Sequence, residues 1–270
     1  FFYNVKETIK KYGSVTVLIG DHKYEVTTFR SDGKYIDKRR PSEVTFSKNI
    51  DEDIARRDFT VNAFLMDENL KVYDFVDGKK DLSDNILRTI NDPDDRFKED
   101  ALRILRAIRF VSSHGFDIES KTLKALQSNS KLVTYIAIER VMVELEKVFK
   151  GPYRSKAFNY LVQTKISEEL YGIDQGIKYL KNSNEKFYPI EIFIISFIKG
   201  EYQDVWRFSN NQKRLIEKVM NLHEITKEDY FNKHILFANS YDVCNLVNHV
   251  NVVLGYHDQQ NELNQMNKEM

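Results

Sequence analysis

The segment Glu99–Phe110, with the sequence EDALRILRAIRF, carries charged side chains at a spacing that suits the recognition of a nucleotide. Asp100, Arg103, Arg106 and Arg109 recur every three residues. On a continuous helix these four residues would follow one polar flank, while the apolar residues between them would face a core. The simplest interpretation is an exposed helix with a salt bridge between Asp100 and Arg103.

The pair Asp100 and Arg103 also has a chemical interpretation. A carboxylate only accepts hydrogen bonds and a guanidinium only donates them. Side by side, the two groups match the base edge of cytosine or adenine, where an amino group lies beside an unprotonated ring nitrogen. Uracil and guanine would leave buried groups unpaired there, at a cost of ~1–3 kcal/mol each. The pair is therefore suited to select C or A, and Arg106 and Arg109 are then placed for a triphosphate.

A second charged segment, RRDFTVNAF, spans residues 56–64. We interpret Arg57 as a ligand of phosphate or ribose oxygens. Asp58 and Asn62 stand four residues apart and would order the same face. The alternative is a surface cluster of ion pairs with no ligand.

Composition and charge exclude several classes of protein. The 270 residues include 41 Lys and Arg against 41 Asp and Glu, so the formal net charge is zero and nucleic acid cannot be bound by bulk positive charge. Cys244 is the single cysteine and cannot form an internal disulfide, which predicts a reducing compartment, the cytoplasm. The sequence shows no signal peptide and no apolar run of the ~20 residues that a membrane helix needs.

The usual phosphate and zinc motifs are absent from the sequence. It contains no Gly-x-Gly-x-x-Gly, no Walker-type Gly-Lys-Ser/Thr, no His-x-x-x-His and no Cys-x-x-Cys. The dipeptide His257-Asp258 is interpreted as part of a solvated tail. We assign no metal ligand in this chain.

The pattern of apolar residues changes near residue 85. Before it, short β-branched runs predict a hairpin of strands over 15–19 and 24–29, strands at 44–46 and 71–75, and a helix over 50–64. After it, the pattern is almost wholly helical, with helices over 97–111, 120–128, 138–149, 155–164, 190–198, 211–221 and 241–255 and a polar tail at 256–270. The expected fold is α+β, a small mixed sheet followed by a helical array.

Together these segments resemble the class II tRNA nucleotidyltransferase and poly(A) polymerase family, and most closely its bacterial CCA-adding branch. The resemblance lies in five segments in family order: EVTTFR at 25–30, RRDFTVNA at 56–63, DFVDGKKDL at 74–82, RFKEDALRILRAIRF at 96–110 and IAIERVMVELEKVF at 136–149. The first is similar to a flexible-loop element of enzymes that add the terminal A. Beyond residue 150 only the helical character agrees with the family.

The resemblance implies a partial nucleotidyltransferase head over 1–84, a helical neck over 85–150, and a helical body and partial tail over 151–270 that bind tRNA. It implies addition of CCA to tRNA 3′ ends from CTP and ATP without a template, with release of pyrophosphate and with Mg²⁺ as cofactor. The nucleotide-binding residues would be Asp100 and Arg103 at the base, and Arg57, Arg106 and Arg109 at the sugar and phosphates.

One departure from the family concerns the catalytic metal. The family's first motif, a Gly-Gly-x-Val-Arg-Asp turn followed by a metal-binding Asp-x-Asp, does not occur in the 270 residues. We expect it upstream of Phe1, so we assign no catalytic residue and expect this chain to be inactive alone. Three alternatives stay open: an A-adding enzyme, a poly(A) polymerase, and a non-catalytic nucleotide- or tRNA-binding protein without the metal carboxylates.

Overall fold

The computed structural model describes residues 5–9, 13–33, 35–36, 40–183 and 185–269. The first four residues of the predicted head and the last residue of the predicted tail lie outside these ranges. The chain divides into two compact units, the first made of residues 1–111 and 115–136, the second of residues 112–114 and 137–270. The domain boundaries expected after residues 84 and 150 remain predictions.

Small antiparallel sheets open the first unit. Strands β1 (Val5–Ile9), β2 (Ser14–Ile19) and β3 (His22–Thr27) pair in that order, which confirms the predicted hairpin. Gly20 has a φ of 59° in the turn between β2 and β3. The other antiparallel pairs are β4 (Arg30–Asp32) with β7 (Val44–Phe46), β5 (Tyr35–Ile36) with β6 (Arg40–Pro41), and β8 (Leu65–Met66) with β9 (Val72–Tyr73).

The helix predicted over 50–64 is much shorter in the structure. Helix α1 (Ile50–Ala55) begins after Asn49, whose side chain accepts a hydrogen bond from the backbone of Asp51. Beyond α1 the chain extends at Phe59, and only a 3-10 turn over Thr60–Asn62 follows. Phe59 is fully buried and pairs with Thr89, so tertiary packing overrides the local helical pattern.

Two short elements that the sequence did not predict connect this region to the helices. Helix α2 (Gly78–Ser83) follows Asp77, which has a left-handed backbone. Strand β10 (Ile86–Leu87) pairs in parallel with β11 (Asp117–Ile118). These two strands are the exception to the almost wholly helical pattern expected after residue 84, because two-residue strands are too short to show an alternating pattern.

The helix predicted over 97–111 is broken at Asp100. Helix α3 (Pro93–Glu99) ends there and helix α4 (Leu102–His114) begins two residues later. Asp100 has an extended backbone, with φ −135° and ψ 101°. Its carboxylate accepts a hydrogen bond from the backbone N–H of Leu102 at 3.1 Å. This local bond competes with the helical hydrogen bonds, which is why an aspartate interrupts the apolar period.

The remaining elements are helical. Helix α5 (Ser120–Ser128) and a 3-10 turn over Ser130–Tyr135 complete the first unit. The second unit contains α6 (Ile138–Lys150), α7 (Arg154–Gln163), a 3-10 turn (Ile166–Glu169), α8 (Asp174–Leu180), α9 (Pro189–Lys199), α10 (Asn210–Thr226), α11 (Lys233–Asn239), α12 (Tyr241–Val253) and α13 (Gln260–Glu269). The polar tail predicted after residue 255 is wrong over α13, where Leu263 is fully buried. In the part of the chain that the structure describes, no helix is both long and apolar enough to cross a membrane.

Aromatic side chains form the core of the second unit around Phe193 of α9. The ring centroid of Phe193 lies 5.1 Å from that of Phe149, 5.2 Å from that of Trp206 and 5.1 Å from that of Phe208. All three contacts are edge-to-face, the arrangement that the ring quadrupoles favour. The indole N–H of Trp206 donates to the carbonyl of Tyr171 at 3.1 Å, so its burial leaves no unpaired donor.

A buried polar network joins α10 to α12 and to the start of α13. The side chain of Asn251 contacts Nδ1 of His223 at 2.7 Å and donates to Oγ1 of Thr226 at 3.0 Å. The side chain of Gln259, just before α13, donates to the carbonyl of Thr226 at 3.4 Å and accepts from the backbone N–H of Phe231 at 2.7 Å. Because these buried polar side chains have hydrogen-bond partners within the protein, polar residues can occupy core positions.

Gly176 permits the close contact between α8 and α9. A Cβ atom at position 176 would lie 2.2 Å from the Cα atom of Ser196, and backbone cannot rotate aside as a side chain can. We expect Gly176→Ala to lower the free energy of unfolding by about 1–3 kcal/mol, measured by urea denaturation. Gln175→Ala, at an exposed position of the same helix, should change it by less than about 0.5 kcal/mol. Equal stabilities of the two variants would contradict this account of the contact.

Candidate functional site

Four of the five residues predicted to bind a nucleotide line one cavity in the first unit. The cavity has a volume of about 340 Å³. Its lining consists of Arg56, Arg57, Asp58, Asn62, Asp100, Arg103 and Arg106. Arg109, the fifth predicted residue, is not part of this lining, and its guanidinium carbon lies 5.2 Å from the ring centroid of Phe110.

Two arginines of the cavity share one buried carboxylate. Asp53 of α1 is only 2% exposed. One of its oxygens accepts from Arg56, with the Nη2 contact at 2.5 Å, and the other accepts from Nη2 of Arg57 at 3.1 Å. Asp53 was not among the residues predicted from the sequence, although arginines three and four residues after an acid indicate such a pair. Because two guanidinium groups share one carboxylate, this edge of the cavity keeps a net positive charge.

Asp58 connects the segment after α1 to helix α4. Its Oδ2 accepts from Nε of Arg106 at 2.5 Å, and its Oδ1 accepts from the side chain of Asn62 at 2.9 Å. The predicted contact between Asp58 and Asn62 is therefore present, although the two residues do not share a helix. Burial alone would raise the pKa of Asp58, but the charge and hydrogen bonds of its partners, Arg106 first, lower it below its usual value. The carboxylate stays ionised and holds Arg106 at the cavity.

Backbone carbonyl groups hold Arg103 in place. Its Nη1 donates to the carbonyl of Arg96 at 3.0 Å and to Oε2 of Glu99 at 2.9 Å. Its Nη2 donates to the carbonyl of Arg56 at 3.0 Å. Glu99, which also forms an ion pair with Arg96, was not among the residues predicted from the sequence. The spacing of four residues between Glu99 and Arg103 is typical of an ion pair on a helix and could have indicated this contact.

Asp100 and Arg103 meet at the cavity in a way that a continuous helix would not produce. Asp100 stands in the extended link between α3 and α4, whereas Arg103 lies in the first turn of α4. Both side chains line the same cavity. The prediction that Asp100, Arg103, Arg106 and Arg109 share one flank of a continuous helix is thus wrong, because the helix is interrupted at Asp100.

A larger cavity, of about 680 Å³, borders the first one at Arg56. Its lining also includes Ser31 and Gly33 from the strand region, and Lys98 and Glu99 from α3. Both positive and negative side chains face this space.

The described residues do not fit a catalytic metal site. Within the ranges that the structure describes, no group of three or more His, Cys, Asp or Glu side chains could hold a metal ion. The arrangement around Arg57, Asp58, Asp100, Arg103 and Arg106 can accept and donate hydrogen bonds to a base and can bind phosphate oxygens. A nucleotide offers both kinds of group, so the predicted role of these residues is chemically compatible with the arrangement.

Two models of known protein families match parts of the chain. Residues 2–88 match the model of the poly(A) polymerase head domain. Residues 115–171 match the model described as the probable RNA and SrmB-binding site of polymerase A. Together the two matches cover more than half of the chain.

Individual relatives of the chain are named CCA-adding enzymes. A CCA-adding enzyme of Lactobacillus helveticus is 34% identical over 256 residues, which cover 88% of this chain and 64% of that enzyme. The CCA-adding enzyme of Pediococcus pentosaceus is 36% identical over 260 residues, 91% of this chain and 66% of the relative. The chain thus spans slightly less than two thirds of the length of these relatives.

Solved structures share the fold. The crystal structure of the Bacillus stearothermophilus CCA-adding enzyme in complex with CTP has a TM-score of 0.81 and 28% sequence identity, and the match covers 98% of this chain and 69% of that enzyme. The Thermotoga maritima CCA-adding enzyme complexed with tRNA has a TM-score of 0.68 at 18% identity, over 96% of this chain and 66% of that one, and shows likeness of fold alone. The chain therefore belongs to the poly(A) polymerase family, in the part of it that contains the CCA-adding enzymes.

Proposed function

We propose that the protein adds CCA to the 3′ end of tRNA from CTP and ATP, without a template and with release of pyrophosphate. The observation that carries this proposal is the cavity of about 340 Å³ that Asp100, Arg103, Arg57 and Arg106 line together. The names of its relatives and the CTP bound in a similar solved structure support the same substrates.

Base selection would depend on Asp100 and Arg103. The carboxylate accepts from the exocyclic amino group of cytosine or adenine, and the guanidinium donates to the adjacent ring nitrogen. Arg103 is held by the carbonyl groups of Arg56 and Arg96, so little side-chain freedom is lost when a base binds. Both C and A fit this pair, so the order of addition must come from elsewhere in the complex.

Phosphate binding would depend on Arg57 and Arg106, each of which has a carboxylate partner that orients it. In the reaction the 3′ hydroxyl oxygen of the RNA bonds to the α-phosphorus and releases its proton to solvent water. The bond from that phosphorus to the β-phosphate oxygen breaks, and pyrophosphate leaves with the electron pair. Arginines beside the phosphates stabilise the charge that develops. A phosphate role for Arg109 stays a prediction.

The acceptor end of the RNA would occupy the larger neighbouring cavity at Arg56. That cavity shares Arg56 with the nucleotide site, and its lining includes the polar residues Ser31 and Glu99. The activity would also require a divalent metal, Mg²⁺, for which the described residues offer no ligand cluster. The single cysteine makes the cytoplasm the expected compartment.

The direct test of the proposed function is nucleotide addition. We expect the protein expressed from its full reading frame, with Mg²⁺, CTP and ATP, to extend a tRNA that ends at the discriminator base, and sequencing of the products to give CCA ends. A single A added only to tRNA ending in CC would instead identify an A-adding enzyme. A run of A residues would identify a poly(A) polymerase, and bound nucleotide without extension a binding protein.

Asp100→Ala tests base selection. We expect the variant to lose most of its preference for CTP and ATP over UTP and GTP, a change of about tenfold to a hundredfold in the ratios of kcat/KM. Asp84→Ala removes the same charge at an exposed position outside the cavity and should keep the preference. Undiminished discrimination in Asp100→Ala would contradict a role in reading the base.

Arg57→Ala tests phosphate binding. The substitution does not leave the buried carboxylate of Asp53 without a partner, because Asp53 keeps its contact with Arg56. We expect KM for CTP and for ATP to rise together by about tenfold, since both substrates carry the same phosphates. A rise for one nucleotide only would be inconsistent with this role. Arg109→Ala, measured in parallel, tests the predicted phosphate contact of Arg109. An equal rise in KM for both nucleotides supports that contact, and an unchanged KM contradicts it.

A further inference from the structure

A third cavity, also polar, lies within the second unit, and none of the residues assigned to the nucleotide lines it. Its volume is about 520 Å³, and it lies between the end of α6, the start of α7 and the segment before α9. Lys150, Arg154 and Lys186 contribute three cations to its lining, against the one acidic residue Glu185. The cavity therefore has an excess of positive charge in a chain whose net charge is zero.

Arg154 is the most constrained of the three cations. Its Nη2 donates to the backbone carbonyl of Glu185 at 2.6 Å, and its Nη1 makes a longer contact of 3.5 Å with the carbonyl of Phe149. Its guanidinium carbon lies 5.0 Å from the ring centroid of Phe187. These partners are all uncharged, and no carboxylate of the described residues lies within ion-pair distance of Arg154.

The charge of Arg154 is thus only partly compensated. Its Nε is shielded from water and has no hydrogen-bond partner among the residues that the structure describes. Burial lowers the pKa of Arg154, since the cation has left water without gaining a counter-ion. An anion in the cavity would offset this cost, and an arginine already held in one orientation loses little entropy when the anion binds.

The walls of the cavity hold it in shape. Oγ of Ser155 donates to the backbone carbonyl of Ser183 at 3.0 Å, which ties the start of α7 to the segment before α9. The ring of Phe187, which is largely buried, also faces His249 at 5.7 Å. The space beside Arg154 is therefore bounded by contacts that do not need a ligand.

We propose that this cavity binds a backbone phosphate of the RNA substrate through Arg154, Lys150 and Lys186. Lys150 and Arg154 fall within residues 115–171, the region that matches an RNA-binding family model. A guanidinium with two flanking ammonium groups suits a phosphodiester, which carries one negative charge and several acceptor oxygens. The inference rests on the proposed function, because it takes tRNA as the RNA, but it concerns an anchoring contact outside the nucleotide site.

The test measures RNA binding and nucleotide binding separately in the protein expressed from its full reading frame. Labelled tRNA without its CCA end is titrated at several KCl concentrations, and CTP is titrated by calorimetry. For Arg154→Gln we expect Kd for tRNA to rise about fivefold to tenfold and the slope of log Kd against log salt to fall by about 1. For Lys150→Gln, an exposed position that should not disturb folding, we expect a rise of about twofold to threefold.

Lys165→Gln is the matched control. Lys165 is an exposed lysine of the same unit and the same RNA-binding match, and it lies outside the cavity. Its removal should leave Kd for tRNA unchanged, and CTP binding should be unchanged in all three variants. An equal loss of tRNA affinity in Lys165→Gln would mean that any positive charge serves, which would overturn the proposed site.

Two further outcomes separate this inference from the proposed function. If wild-type protein binds tRNA and CTP while both Arg154→Gln and Lys150→Gln bind tRNA with unchanged affinity and salt slope, the phosphate anchor is wrong and the proposed function stands. If inorganic phosphate binds in an Arg154-dependent way but tRNA affinity does not depend on Arg154, the cavity takes a free anion and the RNA assignment is wrong. Wild-type protein that binds CTP but no tRNA would overturn both proposals.

Discussion

The ion pair between Asp58 and Arg106 is the interaction on which the candidate nucleotide site depends. Asp58 follows α1, Arg106 lies on α4, and their side chains meet at 2.5 Å in a partly buried position. The buried carboxylate of Asp58 and the partly exposed guanidinium of Arg106 fix the distance between the two segments, because separating them would leave a buried charge without its partner. Arg103 adds a second connection through the carbonyl of Arg56. The groups that would contact a nucleotide are thus held before it binds.

The two arginine sites of the molecule differ in how their charge is compensated. In the first unit, Arg57 and Arg106 each have a carboxylate partner, so they are oriented and partly neutralised at once. In the second unit, Arg154 is oriented by carbonyl groups and by the ring of Phe187, which leave its charge intact. The first arrangement suits a substrate whose base must be chosen as well as its phosphates bound. The second suits an anion that is held without selection of sequence.

Much of the fold was predictable where the apolar period is long. Helix α6 (Ile138–Lys150) and helix α9 (Pro189–Lys199) were expected within one residue at each end, because each buries a continuous apolar stripe or surface. The expected helices over 50–64 and 97–111 were wrong because single tertiary or local bonds interrupt them, at Phe59 and at Asp100. Helix α13 was missed since its one buried side chain, Leu263, gives no period, and Gln259 just before it contacts Phe231, which is distant in the sequence.

The residue types of the candidate site were determined by the sequence alone. The sequence places an acid and an arginine three residues apart, followed by further arginines. These residue types supply hydrogen-bond acceptors and donors in any backbone conformation. Only the tertiary structure decided which of them meet: Arg57 is brought to Asp100 and Arg103 across more than forty positions of the chain, whereas Arg109 lies outside the cavity lining. It also decided that Asp53, Asp58 and Glu99 hold the arginines. Spacing along a chain specifies neighbours on one helix, but contacts between segments depend on packing and on which buried charges can be paired.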